Sequence, residues 1–163
     1  MTPGEDGQGF FLTAELLSDD RFGGGGPDDR RMHAVDRLKK VDENMFSDVW
    51  KQDYRAIYRS NMLLNSLDGI SWESQETRNK IEGQAHFLRA YFYYWLNALF
   101  QGVPIYLEPF VTTECTKTQN TVDEVWQAVL DDLDDCIAEE NLPNNTLKEN
   151  YGRPSKGSAY ALR

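Results

Sequence analysis

The chain is short of the residues that most protein chemistry needs. Two histidines and two cysteines are all that 163 residues offer, and Cys115 and Cys136 share neither a CxxC spacing nor a neighbouring histidine. A zinc site requires more than that. The Walker A loop, the G-x-S-x-G elbow, the G-x-G-x-x-G turn and H-E-x-x-H are all missing. Phosphate-cradling, acyl-transfer, dinucleotide and zinc-hydrolase classes therefore lack their first requirement. No apolar run approaches the roughly 18 to 20 residues that span a bilayer. Cations are thin as well: 17 Lys and Arg against 27 Asp and Glu leave a net charge of −10, and no basic run is longer than the pair Arg30-Arg31. Neutralising phosphates takes clustered Lys and Arg, so nucleic acid is excluded as a partner on this reading.

The few residues that could carry chemistry have plainer explanations. His86 lies between Ala85 and Phe87 in an aromatic stretch, the place of a satisfied structural histidine, and His33 beside Arg31 reads as an exposed loop residue. Asp131, Asp132, Asp134 and Asp135 are clustered, but calcium loops alternate their oxygens on an irregular turn with a central glycine. A solvated helix face is expected for them instead. The tetraglycine at 23–26 has no following Lys-Ser or Lys-Thr, and its flanks Asp19, Asp20, Asp28 and Asp29 would repel a polyanion. Whether Cys115 and Cys136 pair is left open by the sequence, but Cys136 shares an apolar row with Val125, Val129 and Leu133, which favours a buried free thiol. No catalytic residue, metal or cofactor is expected.

What the chain does have is aromatics, 20 Phe, Tyr and Trp in all. They concentrate in EGQAHFLRAYFYYWLNALFQGVPIYLEP over 82–109. Ile81, Ala85, Leu88, Phe92, Trp95 and Leu99 form one helical row, with Phe87, Tyr91, Tyr94 and Ala98 beside it. A helix apolar on two sides must be packed between neighbours. Gly102 offers a left-handed cap, and Pro104 forbids continuation.

Around this helix the pattern predicts an all-α fold. A first helix over 10–18 has Phe11, Leu12, Leu16 and Leu17 to bury. A flexible Gly-rich loop follows over 19–31, since four glycines and Pro27 resist regular structure. A short piece through Val35 and Leu38 leads to a helix over 44–66, with Phe46, Trp50, Tyr54, Ile57, Asn61 and Leu64 at helical spacing and Asp68-Gly69 at its end. The aromatic helix, over 74–101, returns antiparallel to it as a hairpin. An irregular segment over 103–118 then crosses to a helix opened by the capping box Thr121-Val122-Asp123-Glu124. That helix is expected to bury Val122, Val125, Trp126, Val129, Leu133, Cys136 and Ile137 and to end before Pro143. A last helix begins near Pro154 and reaches Arg163 without a C-cap signal. Length gives one domain. Helical hairpins that complete each other's core suggest tetratricopeptide-like stacking, although Trp50, Trp95 and Trp126 are too unevenly spaced for a regular repeat.

The order E-x-x-x-x-FLRA-x-x-Y, an aromatic turn and G-V-P resembles the signature of SusD/RagB-type outer-membrane glycan-binding lipoproteins. Trp50, Tyr54, Ile57 and Asn61 resemble that family's W-x-x-x-Y-x-x-I-x-x-x-N helix. The 125–143 stretch resembles its acidic helix ending in Leu-Pro, and Gly152-Arg153-Pro154-Ser155-Lys156-Gly157 resembles its G-R-x-[ST]-K-G helix start. Four pieces in the right order cover roughly 10–163. The resemblance implies an N-terminal, tetratricopeptide-like portion (1–163) of a longer protein, with a lipoprotein signal and acylated cysteine that are absent from this chain. It also implies a non-catalytic function: binding oligosaccharide or polysaccharide at the outer membrane surface and delivering it to a TonB-dependent, SusC-like transporter.

Sugar recognition needs an aromatic platform for pyranose C–H faces and polar side chains for the hydroxyls. The 19–31 loop combines both, so Asp19, Asp20, Phe22, Asp28 and Arg30 are the expected ligand-binding residues, and Ser18-Asp19-Asp20 is similar to a motif preceding the ligand-facing loop in SusD-like proteins. The rival reading is a tetratricopeptide-like adaptor whose groove takes a peptide or protein partner. A hydrolase ranks behind both, since no activated group is identifiable.

Overall fold

The computed structural model describes residues 15–18, 21–24, 26–27, 30–39, 46–110, 116–145 and 151–163, and among them every regular element is helical. The helices are α1 (Arg30–Asp36), α2 (Ser47–Ser66), α3 (Gln75–Phe100), α4 (Val122–Ala138) and α5 (Lys156–Leu162), with a 3-10 turn at Leu67–Gly69. The all-α expectation holds. By contacts the chain divides into two compact units, Met1–Gln52 and Asp53–Arg163, with the boundary inside α2.

In the first unit, residues 10–14 of the expected first helix, Phe11 and Leu12 among them, lie outside the described residues. Leu16 is buried, but Leu17 is 47% exposed, because consecutive helical residues point about 100° apart. Val35 is buried on α1 as expected, whereas Leu38 is 79% exposed. Leu38 lies past the helix end with φ +50°, in a turn closed by Lys39 N–H to Ala34 O (2.8 Å) and Leu38 N–H to Val35 O (2.9 Å). This is the paired 6→1 and 5→2 closure that usually places glycine at the left-handed position. His33 is helical and half-buried, not an exposed loop residue.

In the second unit α2 and α3 run antiparallel, as Tyr54 against Tyr93 and Asn61 against Arg89 require. The backbones of α3 and α4 approach most closely, also antiparallel, with Asn97 bonded to Val122 O, Tyr94 against Trp126 and Arg89 on Asp132. Side chains of α2 and α3 meet around the 103–110 segment, which is irregular yet well satisfied. Tyr54 Oη donates to Pro104 O (2.7 Å), Asn61 Nδ2 to Tyr106 O (2.8 Å) and Glu108 O (3.1 Å), and Arg89 Nη1 to Leu107 O (2.9 Å). Tyr93 Oη donates to Tyr106 O and accepts from Tyr106 N–H. Side chains thus replace the backbone ladder that this segment lacks.

The buried face of α3 differs from the two expected rows. Its deepest residues are Ala85, Arg89, Ala90, Tyr93, Leu96 and Asn97, whereas Leu88 and Tyr91 are 40% and 37% exposed. The flanking rings do pack, Tyr91 on Trp95, Trp95 on Tyr94 and Tyr94 on Trp126. The most buried row is the one carrying the polar anchors Arg89 and Asn97, so apolarity alone misplaced the face by about one residue.

Helix ends follow the sequence with one shift. Ser74 caps α3, and Thr121 and Glu124 form the complete capping box of α4. At the end of α3 the left-handed turn begins a residue early, at Gln101 (φ +54°), and continues through Gly102 (φ +86°). A Cβ at Gly102 would lie 2.6 Å from Asn120 O. Gly102→Ala is therefore expected to lower stability by about 1–3 kcal/mol, read as a lower denaturation midpoint; an unchanged midpoint would show that this close approach is not needed. In α4, Val125, Val129, Leu133 and Cys136 are buried as expected, but Val122 is 38% exposed at the first turn. Cys136 is a buried free thiol, which burial pushes up to about 11, so it stays protonated at neutral pH. Cys115 lies outside the described residues. Ser155 caps α5, and Gly157 N–H donates to Asn144 O (2.9 Å), where a Cβ would lie 2.8 Å from that oxygen.

Candidate functional site

Of the five residues expected to meet a ligand, Asp19, Asp20 and Asp28 lie outside the described residues. Arg30 opens helix α1, so the loop ends before it, and its side chain is likewise outside what is described. Phe22 is 70% exposed. Its ring meets the His33 ring edge-on, with centroids 5.8 Å apart. An exposed ring held against a helix is the kind of platform a pyranose face can stack on. His33 also lines a hollow of about 390 Å³ together with Gly26, Pro27, Ala34, Arg37 and Lys39.

In the second unit a hollow of about 340 Å³ lies along 105–110 and Lys117. Tyr106 and Phe110 pack at 4.3 Å there, and Lys117 Nζ sits 4.8 Å above the Tyr106 ring while donating to Ile105 O. Tyr106 is buried and its ring is covered by these contacts.

Polar chemistry concentrates elsewhere, in a cluster that the sequence reading passed over. Arg89 and Asp132 are 7% and 3% exposed. The Arg89 guanidinium grips Asp132 with Nε to Oδ2 (2.8 Å) and Nη2 to Oδ1 (2.7 Å), and Nη1 donates to Asn61 Oδ1 (2.9 Å). His86 Nδ1 lies 2.7 Å from Asp132 Oδ1 and 3.7 Å from Asp135 Oδ2. The expected solvated acidic face is thus wrong for Asp132, which occupies the row Val125, Val129, Asp132, Cys136 at helical spacing. That spacing, together with a lone Arg on the inward row of α3, was the available signal.

The ligand atoms of His86, Asp132 and Asp135 fall within 4.8 Å of one another. Both Asp132 oxygens already serve a guanidinium, and a metal ion on them would press two cations together. At its buried end Arg89 and Asp132 are enclosed and fully engaged with each other and with Asn61, which suits the cluster to holding three helices in register. His86 accordingly takes the structural role expected of it.

Asp53 on α2 is half-buried, and burial pushes its carboxyl up to about 7 from 3.8. A carboxyl raised in the native state holds its proton where the unfolded chain has lost it. Its contribution is therefore fully present below about pH 4 and lost as pH rises to about 7. Asp53→Asn is expected to raise stability at pH 8 by about 1–2 kcal/mol, after allowing for partial solvent screening, and to flatten this window. Equal pH profiles for the two proteins would contradict it.

Among the described residues no helix is long and apolar enough to cross a membrane. Residues 29–163 match the SusD-like family described as starch-binding and associating with the outer membrane. SusD-like protein P25 of Formosa agariphila is 33% identical over 120 residues, which is 73% of this chain and 22% of that protein. SusD-like protein P2 of the same organism is 28% identical over 95% of this chain and 30% of its own length. Surface glycan-binding protein A from Bacteroides uniformis superposes with a TM-score of 0.82 at 28% identity, covering 94% of this chain and 34% of that one. The chain thus spans about a third or less of the length of these relatives. The helix order, the caps at Ser74, Thr121 and Ser155 and a family match running from α1 through α5 lead to one conclusion: this chain belongs to the SusD-like family.

Proposed function

We propose that the chain forms the helical part of a surface-exposed, non-catalytic glycan-binding lipoprotein of the outer membrane, one that passes oligosaccharide to a TonB-dependent, SusC-like transporter. The observation that carries this reading is the 28% identity, over 94% of the chain, to a surface glycan-binding protein. The molecule's own chemistry agrees with it. Its most buried polar groups are consumed in holding helices together, while Phe22 presents a ring to solvent from a glycine-rich loop. A rigid frame carrying loop contacts suits capture by many weak interactions.

Calorimetry with an oligosaccharide panel tests binding. Phe22→Ala is expected to weaken the bound sugar about tenfold, the loss of one stacking platform. Unchanged affinity would remove Phe22 from the site. Binding to peptides and to no oligosaccharide would favour an adaptor, and sugar release abolished by one carboxylate substitution would make the protein a hydrolase. Co-purification with a SusC-like transporter tests the delivery step.

A further inference from the structure

The 30–40 segment, RRMHAVDRLKK, holds five Lys and Arg against one Asp in a chain whose net charge is −10. In the sequence these cations are scattered as Arg30-Arg31, Arg37 and Lys39-Lys40, so no long basic run announces them. The structure brings Arg37 and Lys39 to one place. Leu38 takes a left-handed φ of +50°, and the turn around it is closed by two backbone bonds, Lys39 to Ala34 and Leu38 to Val35. Arg37 and Lys39 flank that residue, and both line the same hollow of about 390 Å³.

Among the described residues no carboxylate lines this hollow. Arg37 and Lys39 are exposed, and among the described residues neither has an ion-pair partner. His33 lines it too, and among the described residues its buried Nε2 has no hydrogen-bond partner, which is uncommon enough to call for an explanation. Phe22 rests its exposed ring on that histidine. Neutral sugar hydroxyls are served by Asp and Asn as well as by Arg. A wall whose described residues include two cations without an ion-pair partner and no acid is instead suited to a negative group.

The geometry points to a subsite for an acidic glycan: the hollow at the end of α1 receives a carboxylate or sulfate substituent on Arg37 and Lys39, while the sugar ring stacks on Phe22. This rests on the glycan-binding reading above and narrows it to a substrate class.

Titration calorimetry of the full chain with laminarihexaose, trigalacturonate and a sulfated carrageenan oligosaccharide tests it. At least one anionic probe is expected to bind about tenfold or more tightly than the neutral one. A preference for trigalacturonate assigns the carboxylate, and a preference for the carrageenan fragment assigns the sulfate ester. The preference should shrink as NaCl rises from about 50 to about 300 mM. It should vanish in the Arg37→Ser/Lys39→Ser double variant, whose substitutions are on exposed positions, and reverse in Arg37→Glu/Lys39→Glu. Binding of laminarihexaose with no anionic preference, or a preference that survives the double variant, would overturn the subsite and leave the glycan reading standing. Binding of none of the three would overturn both.

Discussion

Arg89→Met is expected to lower the unfolding free energy by about 3–5 kcal/mol, enough to unfold a marginal chain. Asp132 would then be a carboxylate 3% exposed, left with His86 and without the guanidinium that meets both its oxygens. Asn61 Oδ1 and Leu107 O would lose a donor as well. Denaturant unfolding measures the loss. The double variant Arg89→Met/Asp132→Leu separates a charge left stranded from lost packing, since removing both charges should recover most of the deficit. A double variant as unstable as the single one would mean that packing, not charge, is the cause.

Asn61→Leu is the second large effect, at about 2–4 kcal/mol. The two side chains are similar in size, so the change empties no space. It strips donors from Tyr106 O and Glu108 O and an acceptor from Arg89, all at one 1%-exposed position. If the 103–110 segment depends on these bonds, its amides should exchange faster with solvent in the variant before global unfolding is reached. Unaltered exchange there would show that Tyr93 and Tyr54 hold the segment by themselves. Burial pushes both phenols well above the ordinary tyrosine range, so they remain donors at any working pH.

Helix positions and caps were legible because their signals are local. The capping box at Thr121 and the stop at Gly102-Val103-Pro104 depend on residues within one turn, and the structure reproduces them. The inward face of α3 was not legible from apolar counting. Phe87, Leu88 and Tyr91 look more buried than Arg89 or Asn97, yet the polar pair goes deeper because each finds a partner far along the chain, Arg89 at Asp132 and Asn97 at Val122 O. Long-range pairing has no periodicity of its own. The same limit applies to the basic hollow, since Arg37 and Lys39 converge only through the left-handed turn at Leu38, where the sequence carries leucine in place of the glycine that would announce it.

The grip of Arg89 on Asp132 also has an expected consequence during synthesis. Its two halves are 43 residues apart in the chain, and α4 leaves the ribosome only after α2 and α3 have emerged. Until then Arg89 has no Asp132 to pair with, so the α2–α3 hairpin is expected to pack less tightly than in the native state. On that expectation the acidic helix, made after the pair it packs on, is what locks them.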